Sequence, residues 1–312
     1  MHILVTGGAG FIGSNFVHYL LRSDVDADVE VTTLDALTYA GDISKLDGVR
    51  DDPRHNFIRG DIRDEALVTG LLEEADVVVH FAAQSHVDRS IDDAHPFVST
   101  NVEGTRTLID AVRETDLDRF LHVSTDEVYG EALSGAFTEE DRLDPRNPYA
   151  ATKASSDLLA KSYYETYGVP VTITRACNNF GPRQHPEKLI PKFITRANEG
   201  KSLPLYGDGT NVREWLFVED HCRALWTVLR AGDIGEVYNI GGGTELENRE
   251  VTQRIVEAVG ATSDLIEYVE DRKGHDRRYA LDASKLQALG WEPQWSFDEG
   301  LRATVEYYLQ QS

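Results

Sequence analysis

Short apolar, mostly β-branched runs alternate with longer segments of helical periodicity over the first half of the chain. The runs predict strands at residues 2–6, 29–34, 56–59, 76–80, 120–123 and 170–175. The segments between them predict helices at residues 11–22, 64–74, 97–115 and 148–167. This alternation indicates an α/β fold: a doubly wound parallel sheet with helices on both faces.

The regular alternation of predicted strands and helices ends after residue 177. Prolines punctuate the next segment and predict loops and short helices there: Pro182, Pro186, Pro191 and Pro204. Farther on, the pattern predicts a helix at residues 224–229, a strand at residues 236–240 and a last helix at residues 298–310. Ligands of doubly wound proteins bind beyond the carboxyl ends of the strands, so we expect the irregular segments to form a smaller domain there.

A glycine-rich turn joins the first predicted strand to the first predicted helix. It reads Thr6-Gly7-Gly8-Ala9-Gly10-Phe11-Ile12-Gly13. Its first, fourth and seventh positions after Thr6 are glycines, which permit a tight turn, close approach of a pyrophosphate and close packing of helix on sheet. The helix then presents free N–H groups to the phosphates. Alone this could be an ordinary βα turn, but the flanking elements predict a dinucleotide site.

Two aspartates follow the next strands. Asp35 lies 22 residues beyond Gly13, at the end of the second strand, where a carboxylate accepts hydrogen bonds from ribose hydroxyls. A carboxylate there repels a 2′-phosphate and no arginine follows at once, so NAD is favoured over NADP. Asp61 follows the third strand and could hold the adenine edge, or equally cap a helix at residues 62–74.

Tyr149 and Lys153 stand four residues apart at the start of the helix at 148–167. Asn147 is a suitable N-cap and Pro148 a suitable first helical residue. A lysine cation near a phenol favours the phenolate, a base for an alcohol proton. This spacing alone is also common in surface pairs, but here it follows a strand that ends in Ser124 and Thr125, whose hydroxyls would complete the network.

Together with the glycine turn, this pattern resembles the extended, sugar-nucleotide-modifying short-chain dehydrogenase/reductases. The resemblance covers essentially the whole chain and implies an NAD(P)-binding, Rossmann-type fold with an interleaved substrate domain. We expect the NAD-binding domain at residues 1–177, about 214–247 and 298–312. The nucleotide-sugar-binding domain is expected at about 178–213 and 248–297.

Two adjacent carboxylates, Asp126 and Glu127, come directly after Thr125. Hydride exchange needs only the tyrosine, lysine and hydroxyl, so two acids at this point indicate a further proton removal and a further proton delivery. They could also be exposed loop acids of an acidic protein. We favour chemistry because they adjoin the threonine expected to touch substrate.

Longer stretches match one family. They are Phe81-Ala82-Ala83-Gln84-Ser85-His86-Val87-Asp88-Arg89-Ser90, Asn178-Asn179-Phe180-Gly181-Pro182-Arg183-Gln184, Glu187-Lys188-Leu189-Ile190-Pro191-Lys192-Phe193, Arg213-Glu214-Trp215-Leu216-Phe217-Val218-Glu219-Asp220-His221 and Arg272-Lys273-Gly274-His275-Asp276-Arg277-Arg278-Tyr279. With Asp126 and Glu127, they make the chain similar to the dTDP-glucose 4,6-dehydratases. Gln84 and Lys273 depart from the family, which often has Glu and Pro there.

The resemblance implies a three-stage reaction of dTDP-glucose on one bound NAD. Tyr149, helped by Lys153 and Thr125, removes the 4-hydroxyl proton while hydride leaves the sugar. Glu127 then takes the proton from the carbon next to the new ketone, and Asp126 protonates the departing 6-hydroxyl. Hydride returns to carbon 6 and gives the 4-keto-6-deoxy sugar, so the net redox change is zero.

The resemblance also implies the binding residues. Those expected to contact NAD are Gly7, Gly10, Phe11, Ile12, Gly13, Asp35, Thr38, Asp61, Ile62, Ala82, Ala83, Ser85, Thr100, Ser124, Tyr149, Lys153 and Asn179. Those expected to contact the nucleotide sugar are Ser85, Thr125, Asn178, Lys188, Pro204, Tyr206, Arg213, Asn248, Arg272 and His275. Arginines suit bidentate phosphate contacts.

Several of these residues have simpler explanations. Arg213 could pair on the surface with Glu214 or Glu219, and Tyr206 and His275 could simply pack against their neighbours.

The histidines at 80, 86 and 95 do not have the spacing that would place them on one face to bind a metal, so we expect no metal. The two cysteines, at 177 and 222, make no disulfide framework and are expected to be buried free thiols.

Rival functions remain within and outside this fold. A 4-epimerase has no use for Asp126 and Glu127, and a decarboxylase usually lacks the aspartate. A non-catalytic NAD-sensing protein would keep the glycine turn and lose the catalytic residues, which are all present here.

The chain is strongly acidic: 54 Asp and Glu face 31 Lys and Arg, a net charge of −23. That charge disfavours nucleic acid and anionic membranes as partners. With only 8 lysines among the basic residues, the charge favours a protein that stays soluble in high salt over an ordinary acidic enzyme.

The chain begins at once with a strand and has no apolar run near the ~18 residues of a membrane helix. We expect a cytoplasmic protein, and by family analogy a homodimer built from helices 97–115 and 148–167.

Overall fold

The structure, a computed structural model, describes residues 1–22, 25, 28–271 and 275–311. Its strands are β1 (His2–Thr6), β2 (Glu30–Asp35), β3 (His55–Arg59), β4 (Val77–His80), β5 (Arg119–Thr125), β6 (Val171–Ala176), β7 (Asn178–Phe180), β8 (Leu203–Tyr206), β9 (Val212–Phe217), β10 (Val237–Ile240), β11 (Thr244–Glu247) and β12 (Ile266–Val269). Its α-helices are α1 (Phe11–Leu20), α2 (Glu65–Leu72), α3 (Val87–Asp92), α4 (His95–Phe97), α5 (Thr105–Val112), α6 (Pro148–Tyr167), α7 (Leu189–Asn198), α8 (Val218–Ala231), α9 (Asn248–Val259), α10 (Ser284–Gln287) and α11 (Phe297–Gln310).

Seven parallel strands form the central sheet, in the order β3, β2, β1, β4, β5, β6, β10. The valine run of β4, residues 77–79, is buried, as a run without a polar side predicts. Apolar side chains of α1 and α8, such as Phe16 and Leu225, cover one face of the sheet. Those of α2, α5 and α6, such as Leu108 and Ala160, cover the other. The doubly wound α/β fold is confirmed.

The predicted strands of this sheet differ from the observed ones by at most two residues at either end. The helix predicted at residues 97–115 is wrong at both ends, because Val98–Gly104 is π-helical and the helix ends at Val112. The side chain of Asn101 leaves this turn to bond the backbone N–H of Gln84 at 2.8 Å and the Thr152 hydroxyl at 2.9 Å. Such π-turns are frequent at functional sites.

The second half contains more regular structure than its prolines predict. A second apolar core lies among α7, α9 and α11, with Phe193, Ile255 and Leu301 at its centre. Two small sheets accompany it, one of β11, β9 and β7 and one of β12 and β8. The helix predicted at residues 224–229 is longer and spans α8. The proposed division into two interleaved domains stays a prediction.

The chain passes from the large sheet to the small one at a single residue, Cys177, between β6 and β7. β7 pairs in parallel with β9, which brings Asn178 beside Trp215. The carboxyl ends of the neighbouring strands β5 and β6 therefore lie next to β7, the first strand of the small sheet. In the described part of the chain, no helix is both long and apolar enough to cross a membrane.

Candidate active site

The glycine turn between β1 and α1 has no room for side chains. Gly7 adopts a left-handed backbone with φ of 72° and donates its N–H to the carbonyl of Leu34 at 2.8 Å. A Cβ on Gly13 would lie 2.4 Å from the carbonyl oxygen of Gly7. No side chain caps α1, whose N-cap is Gly10. The first turn of α1 thus presents its opening N–H groups to whatever lies above the turn.

Asp35 is the last residue of β2 and lies against this turn. Its carboxylate accepts the N–H of Ala9 at 2.9 Å and that of Leu37 at 2.8 Å. Leu37 has a φ of 52°, a conformation unusual for leucine. Burial raises the pKa of Asp35, while the two backbone hydrogen bonds lower it. The carboxylate is therefore fixed beside the turn, in the place expected for a ribose contact.

A cavity of about 250 Å³ opens above the glycine turn. Of the residues predicted to contact NAD, it is lined by Gly7, Gly10, Phe11, Ile12, Gly13, Ala83, Ser85, Ser124, Tyr149, Lys153 and Asn179. Its walls also include Lys45, which the sequence analysis missed and whose ammonium group donates to the carbonyl of Ala40 at 2.7 Å. The sequence signal that could have pointed to Lys45 is the rarity of lysine, of which the chain has only eight.

Five predicted NAD contacts besides Asp35 lie outside these walls: Thr38, Asp61, Ile62, Ala82 and Thr100. The Asp61 carboxylate pairs with the Arg63 guanidinium at 2.6 Å, and the alternative role of Asp61 as a helix N-cap is wrong, because Asp64 caps α2. Ile62 packs in the core and Thr100 belongs to the π-turn. A Cβ on Gly7 would clash with the backbone of Ala82, which places that residue directly behind the turn.

The five predicted catalytic residues all line the same cavity. Thr125 ends β5, and Asp126 and Glu127 open the short 3-10 turn that follows it. The hydroxyl of Thr125 donates to the Asp126 carboxylate at 3.1 Å and accepts the N–H of Glu127 at 3.3 Å. Tyr149 and Lys153 come from the first turns of α6, which Asn147 caps as predicted.

Asp126 and Glu127 differ in their surroundings. Asp126 is 3% exposed, and burial together with the charge of Glu127 raises its pKa well above the ordinary value. Its Oδ2 atom is buried without a hydrogen-bond partner among the described residues. Glu127 is half-buried and lines both this cavity and a larger neighbour. Asp126 thus suits the role of a proton donor and Glu127 that of a proton acceptor.

Lys153 and Tyr149 do not interact as the sequence predicted. The ammonium group of Lys153 donates to the carbonyl of Val123 at 2.8 Å, and burial lowers its pKa to about 8. The pKa of Tyr149 is raised well above 10 by burial and by the charges of Glu127 and Asp126. The expected lowering of the tyrosine pKa by the lysine is therefore wrong for the protein alone.

A second cavity of about 530 Å³ adjoins the first. The two share five lining residues: Glu127, Asn178, Asn179, Gln184 and Lys188. Of the predicted substrate contacts, the larger cavity is lined by Asn178, Lys188, Pro204, Tyr206, Arg213, Asn248 and His275. Two others, Ser85 and Thr125, line the smaller cavity, and Arg272 lies outside the described residues. The buried polar atoms without a hydrogen-bond partner among the described residues include Nε1 of Trp215 and Oδ1 of Asn178 and Asn248, all from residues on this wall.

Arg213 is buried in this wall, 5% exposed, with its guanidinium 4.5 Å from the ring centre of Tyr279. It donates to the carbonyl of Asp276 at 2.8 Å. The two glutamates considered as surface partners are engaged elsewhere: Glu214 accepts backbone N–H groups of Gly243 and Leu281, and Glu219 pairs with Arg22. The rings of Tyr206 and His275 meet edge to face, 6.3 Å apart.

The described residues contain no group of three or more His, Cys, Asp or Glu placed to hold a metal ion. Cys177 and Cys222 are both buried and free, and Cys177 lines the smaller cavity. Burial raises the pKa of Cys177 well above its ordinary value, so its thiol is uncharged.

Residues 4–304 match the family described as GDP-mannose 4,6 dehydratase. A dTDP-glucose 4,6-dehydratase of Actinoplanes sp. is 52% identical to the chain, over 99% of this chain and 98% of the relative. The chain belongs to the dTDP-glucose 4,6-dehydratase family. A further relative, "Low-salt glycan biosynthesis protein Agl12" of Haloferax volcanii, is 66% identical over 99% of both chains.

Solved structures of this family and of its neighbours have the same fold. The dTDP-glucose 4,6-dehydratase of Streptomyces venezuelae, solved with NAD bound, superposes with a TM-score of 0.97 at 54% identity, over 99% of this chain and 97% of that one. The UDP-glucuronic acid 4-epimerase of Bacillus cereus, in complex with UDP-glucuronic acid and NAD, gives 0.95 at 32% identity over all of both chains. The fold is thus shared with epimerases, while the sequence is closer to the dehydratases.

Proposed function

We propose that this protein converts dTDP-glucose to dTDP-4-keto-6-deoxyglucose on one tightly bound NAD. The observation that carries the proposal is the pair Asp126 and Glu127, which stands beside Tyr149 where the two cavities meet. The relatives that bear the dehydratase name, such as that of Actinoplanes sp., support the same activity.

The residues around the glycine turn fit a dinucleotide. A Cβ at position 13 would fill the space beside the Gly7 carbonyl, so the cradle exists only with glycine there. The uncapped start of α1 suits a pyrophosphate, and the fixed carboxylate of Asp35 suits ribose hydroxyls. Held by these residues, NAD would supply the hydride acceptor that oxidation at carbon 4 of the sugar requires and the hydride donor that reduction at carbon 6 requires.

Tyr149 acts as the base for the 4-hydroxyl of glucose. The Thr125 side chain lowers the pKa of this hydroxyl, against the larger effects of burial and of the two carboxylates. In its ionised form Tyr149 takes the substrate proton as the hydride leaves the sugar. Burial and the two neighbouring carboxylates oppose that ionised form, and the positive charge of bound, oxidised NAD would favour it. Lys153 stays fixed behind it through the Val123 carbonyl.

Glu127 and Asp126 carry out the elimination of water. The ketone formed at carbon 4 acidifies the hydrogen on carbon 5, and Glu127 takes that proton. Asp126, kept protonated by burial, gives its proton to the departing 6-hydroxyl. An epimerase performs neither step, which is why we do not propose that activity for this chain.

The larger cavity holds the nucleotide in this proposal. Arg213 and Lys188 supply the cations that two phosphates require, and Asn248 supplies an amide.

We further propose a homodimer that pairs the α5 and α6 faces of two copies. On α6, the large side chains of Leu158 and Tyr167 are 60% and 54% exposed, as they would be on a face that pairs with a second copy. A cytoplasmic location is proposed as well.

The experiment that tests this function is product analysis after incubation of dTDP-glucose with the purified protein and no added NAD. We expect a 4-keto-6-deoxy product. Formation of dTDP-galactose would replace the proposal with a 4-epimerase, and unchanged dTDP-glucose at low and at multimolar salt would exclude this substrate.

A further inference from the structure

The side chain of Asn147 joins α6 to the proposed base. Its Oδ1 atom accepts the N–H of Ala150 at 2.8 Å, which caps the helix that carries Tyr149. Its Nδ2 atom donates to Oε2 of Glu127 at 3.1 Å. The orientation of the amide is determined by the cap, because only its oxygen can accept the Ala150 N–H. One side chain, 9% exposed, therefore contacts both parts of the site.

This contact matters because Glu127 must be ionised and held still to accept a proton. Three acidic groups face it: Asp126 from its own turn, Tyr149 from α6 and Tyr279 from the segment beside the larger cavity. A neutral N–H donor to a carboxylate stabilises the ionised form without adding a charge that the substrate phosphates would attract.

We propose that Asn147 is a positioning residue for the elimination step, which holds the Glu127 carboxylate in place through Oε2 and leaves its Oε1 atom for the substrate. The inference rests on the proposed function. Serine, aspartate and asparagine cap helices about equally well. Of the three, only asparagine offers an acceptor for the helix and an N–H donor for Glu127 at the same time.

Two variants separate the cap from the donor. N147S keeps an N-cap oxygen but replaces the amide N–H that reaches Glu127 with a shorter hydroxyl, while N147D keeps the cap and faces Glu127 with a second carboxylate. Both should melt close to the wild type, as Ser and Asp are equivalent caps. The kcat of N147D should fall by about 10- to 100-fold, the effect of losing a hydrogen bond to a charged group, with little change in KM.

Two further readouts identify the step. In a single turnover, N147D should accumulate the 4-keto sugar that still has its 6-hydroxyl, and the acidic limb of its pH–rate profile should move to higher pH. N147S should show the same changes to a smaller degree. Wild-type kcat in N147D, or activity lost in parallel with melting temperature without accumulation of the 4-keto sugar, would overturn the inference. Failure of the proposed function is distinguishable, because the wild type itself would then leave dTDP-glucose unchanged.

Discussion

Asp126 and Glu127 are neighbours in the chain, yet the Asp126 carboxyl is enclosed while the Glu127 carboxylate faces both cavities. This difference assigns opposite proton-transfer roles to two adjacent acids of the same chemical type. Burial and the nearby charge of Glu127 raise the pKa of Asp126 and so favour its protonated form.

We expect Asp126→Asn to slow the elimination by about 100-fold or more, because an amide of the same size cannot deliver a proton. The affinity for NAD should not change. The measurement is the rate of dTDP-4-keto-6-deoxyglucose formation beside an NAD titration of the same preparation. An equal loss of NAD affinity would show that Asp126 is a structural carboxylate.

The glycine turn offers a matched pair of alanine variants. A Cβ at position 13 meets the backbone of Gly7 and Gly8 at 2.4 and 2.9 Å, whereas a Cβ on Gly70 in α2 meets nothing within 4 Å. Gly13→Ala should cost about 1–3 kcal/mol of unfolding free energy and weaken NAD binding at least tenfold. Gly70→Ala should add about 0.5–1 kcal/mol, since alanine favours helix. Urea unfolding and NAD titration compare the two variants. If Gly13→Ala bound NAD as tightly as the wild type does, the proposed role of the glycine turn in holding NAD would be wrong.

A buried ion pair behind the site supports the central sheet. Asp157, 1% exposed, contacts Arg175 Nε at 2.9 Å and His122 Nε2 at 3.3 Å. Burial alone would raise the pKa of Asp157, but the neighbouring His122 side chain and the charge of Arg175 lower it to about 2. A lowered carboxyl pKa stabilises the folded state at neutral pH, and this contribution is lost as the pH falls towards 2.

Asp157→Asn should therefore cost about 3–5 kcal/mol at neutral pH, because Arg175 is left buried without its counter-charge. Asp116→Asn, at an exposed position, is the control and should stay within about 0.5 kcal/mol of the wild type. Urea unfolding at pH 7 measures both. If the two variants unfold alike, the ion pair contributes nothing to stability.

The net charge of −23 predicts a dependence on salt. At ~0.1 M salt the Debye length is about 10 Å, so neighbouring surface acids repel one another, and at ~1 M it falls to about 3 Å. The melting temperature should rise steadily with KCl at constant pH. The 66% identity to a protein of Haloferax volcanii agrees with this expectation. A melting temperature that is flat or falls with KCl would remove the prediction of salt adaptation.

The sequence predicts the central sheet well because its strands are apolar on both sides and its helices begin at recognisable caps such as Asn147. The small sheets were missed, since β7 and β9 owe their pairing to each other rather than to a local pattern. The π-turn at Val98–Gly104 likewise depends on contacts of Asn101 with Gln84 and Thr152, which are distant in the chain.

In the site, too, local motifs could be predicted from the sequence and contacts between distant residues could not. Motifs place Thr125, Asp126, Tyr149 and Lys153 around one cavity, because strand ends and helix starts meet there. Their electrostatics could not be read from spacing, since the pKa of Tyr149 depends on burial and on two carboxylates rather than on the lysine four residues away. Asp157 was missed for a similar reason, as its partners come from β5 and β6.

The central claim is that one bound NAD moves a hydride from carbon 4 to carbon 6 of the same sugar. Its most direct test is incubation of dTDP-glucose deuterated at carbon 4 with the purified protein, followed by mass spectrometry and NMR of the product. The account predicts a 4-keto-6-deoxy sugar with the deuterium at carbon 6. Deuterium retained at carbon 4 of dTDP-galactose, or lost to solvent, would contradict it.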